Sequence, residues 1–85
     1  MKQFTYVIQD PLGLHARPAG LLVKAAAGYQ SAVTVTAPSG KADAKRIMAV
    51  MRLAAKQGME LTVTCEGPDE DAAVEGLQKF MAENL

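Results

Sequence analysis

Residues 13–20 read GLHARPAG and contain the only histidine of the chain, His15, followed by Arg17 and Pro18. A neutral imidazole nitrogen is a competent nucleophile near pH 7. A guanidinium is a planar fork of donors that matches the oxygens of a phosphate. Pro18 predicts a helix beginning at Ala16, because a proline in the first turn gives up an N–H that has no helical partner there anyway. His15 then stands at or next to the N-cap. The unpaired N–H groups of the first turn, those of Ala16 and Arg17 included, form an anion site. The chemistry open to this group is transfer of a phosphoryl group to a ring nitrogen, with the resulting dianion held by the helix end and by Arg17. The same residues also fit a plain capping or solvated histidine, and a short motif alone does not separate the two.

The remaining reactive side chains narrow the field. Cys65 is the single cysteine, so no disulfide forms within the chain, which fits a reducing compartment. Its setting, LTVTCEG, reads as a strand, and no second histidine is present to activate it, so it is expected as a small buried hydrophobe. One His and one distant Cys make no zinc ligand set, and no nucleophile–base pair can be assembled into a hydrolase triad. Neither a metal nor a cofactor is expected. Nine Lys+Arg balance nine Asp+Glu, a formal net charge of zero. That argues against a protein that holds nucleic acid or an anionic membrane by bulk charge, and aromatic residues at 5% leave little for base stacking. No stretch approaches the roughly 20 apolar residues of a membrane helix, and the N-terminus has no apolar run of signal-peptide type. The expectation is a cytoplasmic protein, and a monomer given the even charge and the lack of a large apolar strip.

The elements that must position His15 follow from periodicity. The chain of 85 residues, 49% hydrophobic, is read as one domain over residues 1–85. Residues 2–8 alternate, with Phe4, Tyr6 and Ile8 on one side and Thr5 and Val7 on the other, as in a strand. Pro11 and Gly13 break it. Residues 16–27 turn helical, with Leu21, Leu22, Ala25 and Ala26 as the apolar face, Gly28 as the stop and Tyr29 packing back under the helix. Residues 31–37 alternate again, a turn at 38–40 follows, and 41–44 is a short return strand. A second helix is expected from about Arg46 to Gly58, with Ile47, Val50, Met51 and Ala54 at helical spacing. Residues 59–67 form a strand with Met59, Leu61, Val63 and Cys65 on one face and Thr62 and Thr64 on the other. Asp69 is expected to cap a last helix whose start carries Glu70 and Asp71, where the dipole favours acids. Its buried stripe would be Val74, Leu77, Phe80 and Met81. The order β-α-β-β-α-β-α implies an α+β fold, an open-faced sandwich with a four-stranded, mostly antiparallel sheet and three helices on one face.

With GLHARPA at 13–19 following an N-terminal strand, IMAVM at 47–51, LTVTCEG and an acidic opening to the closing helix, the chain resembles HPr, the histidine-containing phosphocarrier family of the bacterial sugar phosphotransferase system. The resemblance spans the whole length. It implies that His15 accepts a phosphoryl group from phosphorylated enzyme I and passes it to enzyme IIA domains. It implies that Arg17 steadies the group and that Pro18 shapes the helix start. The protein would then be a carrier that other enzymes charge and discharge, transferase-like but not turning over alone. The family's apolar docking surface would be formed here by Ala16, Gly20, Ile47, Met48 and Met51, with Lys24, Arg46 and Lys45 as a basic rim. A flexible methionine patch suits several partners, although helical spacing alone also allows Met51 to be core. Sugar uptake, a nitrogen-related system and a dihydroxyacetone kinase relay would all use such a motif.

One position departs from many relatives of low-GC Gram-positive bacteria. Where they open the second helix with a regulatory serine, this chain has Arg46. Arginine carries no hydroxyl and has the wrong sign to mimic a phosphoserine, so that switch is expected to be absent. Two further readings compete with the relay. A purely regulatory binding module is opposed by the presence of His15 and of Arg46. A small nucleic-acid binder is opposed by the zero net charge.

Overall fold

Hydrophobic alternation decides which way the sheet faces. The computed structural model describes residues 1–85. Its elements are β1 (Lys2–Val7), α1 (Ala16–Ala27), β2 (Ala32–Ala37), β3 (Gly40–Asp43), α2 (Ile47–Arg52), β4 (Glu60–Glu66) and α3 (Glu70–Asn84). The four strands form one sheet in the order β1-β4-β2-β3, and all three pairings are antiparallel. One row across it runs Phe4, Val63, Val35, Ala42, all buried. The next row runs Thr5, Thr62, Thr36, Lys41 on the other face. Because side chains alternate with period two, this register sends every second residue into the core and leaves a threonine-rich face open.

The helices cover the apolar face. Leu22 and Ala26 of α1, Val50 of α2, and Ala73, Leu77 and Met81 of α3 are fully buried against Val33, Val35, Leu61, Val63 and Cys65. Each large side chain buried in this way contributes about 1.5–3 kcal/mol. This is the α+β open-faced sandwich expected from the element order.

Several local expectations are corrected. The second helix is far shorter than the stretch to Gly58. It ends at Arg52, where Leu53 and Ala54 donate their N–H groups back to Val50 and Met51 and Ala54 takes φ +49°. The chain leaves the helix there because the Ala55 carbonyl must accept the Leu14 N–H (2.9 Å). Leu21 belongs to the exposed side of α1, not to its core face. Tyr29 lies against α3, with its hydroxyl in the space that a side chain at Gly76 would need. Asp69 occupies the N-cap position of α3 but makes no capping bond with its side chain. Its carboxylate instead accepts the Gln30 N–H (2.8 Å), the Ser31 N–H (2.9 Å) and the Ser31 hydroxyl (2.5 Å), tying the start of α3 to the entry of β2.

Two glycines with positive φ each precede a helix cap by two residues. Gly13 (φ +67°) runs against the backbone of Ala55 and Lys56, and Gly67 (φ +156°) runs against Ser31, so neither site has room for a Cβ. Both conformations also disfavour any residue with a side chain.

Candidate functional site

The turn that carries His15 is built from its own backbone. Asp10 Oδ1 accepts the Leu12 N–H (2.8 Å) and the Asp10 carbonyl accepts the Gly13 N–H (2.9 Å), the side-chain turn that aspartate favours. The Gly13 carbonyl then accepts the His15 N–H (3.0 Å). From behind, the Leu85 main-chain oxygen accepts the N–H groups of Gln9 (2.6 Å) and Asp10 (2.8 Å). Leu14 on one side of His15 and Pro18 and Ala19 on the other are buried. The histidine is thus presented by a fixed frame while its own side chain stays half-exposed.

His15 is the N-cap of α1, with extended backbone (φ −89°, ψ −175°), and its carbonyl accepts the Ala19 N–H (3.0 Å). Its side chain makes no capping hydrogen bond, and no acid occupies the first turn. The N–H groups of Ala16 and Arg17 are therefore left as open donors at the positive end of the helix dipole. Arg17 is exposed and makes no ion pair; the two ion pairs of the molecule are Met1–Glu70 and Lys2–Asp71. His15, Arg17 and Pro18 share the wall of an open cavity of about 370 Å³ with Asp10, Leu12 and Glu83. An anion entering it meets an imidazole, a guanidinium and a helix N-terminus, a set suited to phosphoryl transfer to a ring nitrogen.

The expected partner residues lie on α1 and at α2, and none of them lines the cavity itself. Ala16 and Lys24 are exposed on α1, and Gly20 faces Ile47 across the α1–α2 contact. Met48 is 63% exposed, Ile47 41% and Met51 39%, so Met51 is surface rather than core. Leu21, at 40% exposed, lines the cavity itself, although helical spacing assigns it inward. Arg46 is exposed at the start of α2 without a capping contact. Lys45 is not a free rim charge: its Nζ donates to the Tyr29 carbonyl (2.9 Å). Sequence reasoning also missed Asp10, Leu12 and Glu83. The Asp-Pro dipeptide was a usable signal for Asp10; nothing local marks Glu83, which arrives from the far end of α3.

Other chemistry is poorly served. Cys65 is fully buried, and burial pushes its thiol up, with Asp69 and Glu70 adding to the effect. No three His, Cys, Asp or Glu side chains gather as a metal-holding group. No helix is long and apolar enough to cross a membrane.

Comparison with known proteins finds similarity along almost the whole chain. Residues 2–83 match the family described as the PTS HPr component phosphorylation site. The phosphocarrier protein HPr of Lysinibacillus sphaericus is 45% identical over 83 residues, covering 98% of this chain and 94% of that protein. A solved mycoplasma structure of the histidine-containing phosphocarrier protein superposes with a TM-score of 0.93 at 38% identity, over 96% of this chain and 93% of that one. A dimeric HPr of Thermoanaerobacter tengcongensis superposes with a TM-score of 0.77 at 37% identity, over 98% and 95% of the two chains. Sheet, helix-end histidine and whole-length similarity converge: the chain belongs to the HPr family, the phosphocarriers of the phosphotransferase system.

Proposed function

We propose that His15 is the phosphoryl acceptor of this carrier, that phosphorylated enzyme I charges it and that enzyme IIA domains discharge it. The observation that carries the reading is the open start of α1, where a half-exposed His15 and an unpaired Arg17 share one cavity with free N–H groups. In the charging step, the lone pair of a neutral ring nitrogen attacks phosphorus. The new P–N bond forms as the donor's bond to phosphorus breaks, and the donor keeps that electron pair. The Ala16 and Arg17 N–H groups and the Arg17 guanidinium hold the phosphoryl oxygens, and Pro18 sets the helix start that aims them. Transfer to the acceptor is the same exchange in reverse.

Both partners would dock on Ala16, Gly20, Ile47, Met48 and Met51, with Lys24 and Arg46 as the cationic rim and Leu21 extending the apolar area. All 85 residues act as one phosphocarrier domain in the cytoplasm. Serine phosphorylation at the start of α2 is absent, since Arg46 offers no hydroxyl. The carrier works as a monomer, because docking uses a surface of one chain; the dimeric Thermoanaerobacter relative makes sedimentation of this chain the check on that point.

The test is incubation with phosphoenolpyruvate and a bacterial enzyme I, followed by intact mass. One acid-labile phosphoryl group is expected on the wild type and none on His15→Ala. A folded wild type that stays uncharged with several enzyme I proteins overturns the reading.

A further inference from the structure

We propose that Asp10 and Glu83 set the phosphoryl-transfer potential of the carrier by destabilising its charged form. The inference rests on the reading of His15 as the phosphoryl acceptor. The two carboxylates come from opposite ends of the chain, yet both line the cavity that contains His15 and Arg17. Neither pairs with Arg17, because no carboxylate oxygen lies within ion-pair distance of that guanidinium. Asp10 is held in place: its Oδ1 accepts the Leu12 N–H and its own N–H donates to the Leu85 main-chain oxygen. Glu83 projects from the last turn of α3, where the helix dipole is negative and adds to its charge.

In the unphosphorylated protein these acids cost little, since no anion sits beside them. Once a phosphoryl dianion sits on His15, the same cavity holds an attractive set and a repulsive set. The helix end and Arg17 attract; Asp10 and Glu83 repel. Repulsion that exists only in the charged state raises its free energy and favours passing the group onward. A carrier needs this balance, because a phosphohistidine held too well would not discharge.

The experiment measures the equilibrium between phosphorylated enzyme I and the carrier, read by intact mass at fixed phosphoenolpyruvate-to-pyruvate ratios. It also measures the hydrolysis half-life of the isolated phosphoprotein. Asp10→Asn and Glu83→Gln should each shift the equilibrium toward the charged carrier by about threefold, and the double variant by about tenfold, with the shift shrinking in 1 M salt. Glu75→Gln removes the same charge from the exposed face of α3, away from the cavity, and should shift nothing. A double variant that folds like the wild type but charges to the same extent overturns the inference. So does an equal shift in Glu75→Gln, which would reduce the effect to net charge. A wild type that never charges would instead overturn the assignment of His15, so the two failures are distinguishable.

Discussion

The molecule has two well-formed helix N-termini that are alike in build and opposite in use. Each is introduced by a positive-φ glycine two residues before the cap, Gly13 before His15 and Gly67 before Asp69, and each glycine is pressed against another segment. At α3 the protein fills the positive end with its own acids. Asp69 takes three hydrogen bonds from Gln30 and Ser31, while Glu70 takes the N-terminal ammonium and the Gly67 N–H. At α1 there is no acid in the first turn, and the donors of the helix end and Arg17 are unspent. The same backbone device is thus a structural fastening in one place and, on the proposed reading, the seat of the phosphoryl group in the other. What separates them is whether the chain places its own acids in the first turn of the helix.

The comparison is broken most severely by removing the seat's cation. Arg17→Ala should lower the rate of charging by enzyme I by about a hundredfold, with Arg17→Lys recovering part of it because the ammonium lacks the planar fork. Thermal unfolding should barely move, since Arg17 is exposed and unpaired. Equal charging rates in a folded Arg17→Ala would deny the open end its function.

The opposite result is expected at the closed end. Gly67→Ala should destabilise by about 3 kcal/mol, because the added Cβ meets the Ser31 backbone and the φ of +156° is strained. Its charging rate, measured on the folded fraction, should match the wild type. Ser31→Ala should cost about 1–2 kcal/mol in urea unfolding, through loss of the buried hydroxyl and a carboxylate left with fewer donors. A loss of charging without loss of stability in either variant would erase the division between the two ends.

The smallest effect is one of pH. The Ser31 hydroxyl, then the Gln30 N–H, hold the Asp69 carboxyl below its ordinary value. The N-terminal ammonium, then the Gly67 N–H, do the same for Glu70. A carboxyl lowered on folding contributes stability that is complete above its unfolded value and is lost as pH falls through the folded one. Stability from this end should therefore be constant above about pH 5 and decline below about pH 4. Urea midpoints at pH 5 and pH 3 should fall less in Asp69→Asn than in the wild type. An equal fall in both would place the acid sensitivity elsewhere.

Periodicity and punctuation make the architecture legible in the sequence. Alternation in residues 2–8, 31–37 and 59–67 marks strands because one sheet face is buried and the other is open. Pro18 after His15 marks the start of α1, which begins at Ala16 as read. His15 and Arg17 are legible as a candidate site because a helix end, an imidazole and a guanidinium lie within three residues, a wholly local arrangement. The second helix was misjudged because the apolar spacing continues past Arg52, whereas the chain must turn to deliver the Ala55 carbonyl to Leu14, a contact invisible from either segment alone. Asp69 was read as a cap because acids favour helix starts. Its real partners, Gln30 and Ser31, are 39 and 38 residues away.

What near neighbours set is written in the chain: the strands, the helix starts, and the placing of His15 and Arg17 together at one of them. Propensity, patterning and capping act over a few residues, and they are written in the order of the chain. Packing settled that Met51 and Leu21 face outward and that Glu83 and Asp10 line the same cavity as His15. Those outcomes depend on how β1, α1 and α3 stack on a sheet ordered β1-β4-β2-β3, and packing brings together side chains that no local rule connects.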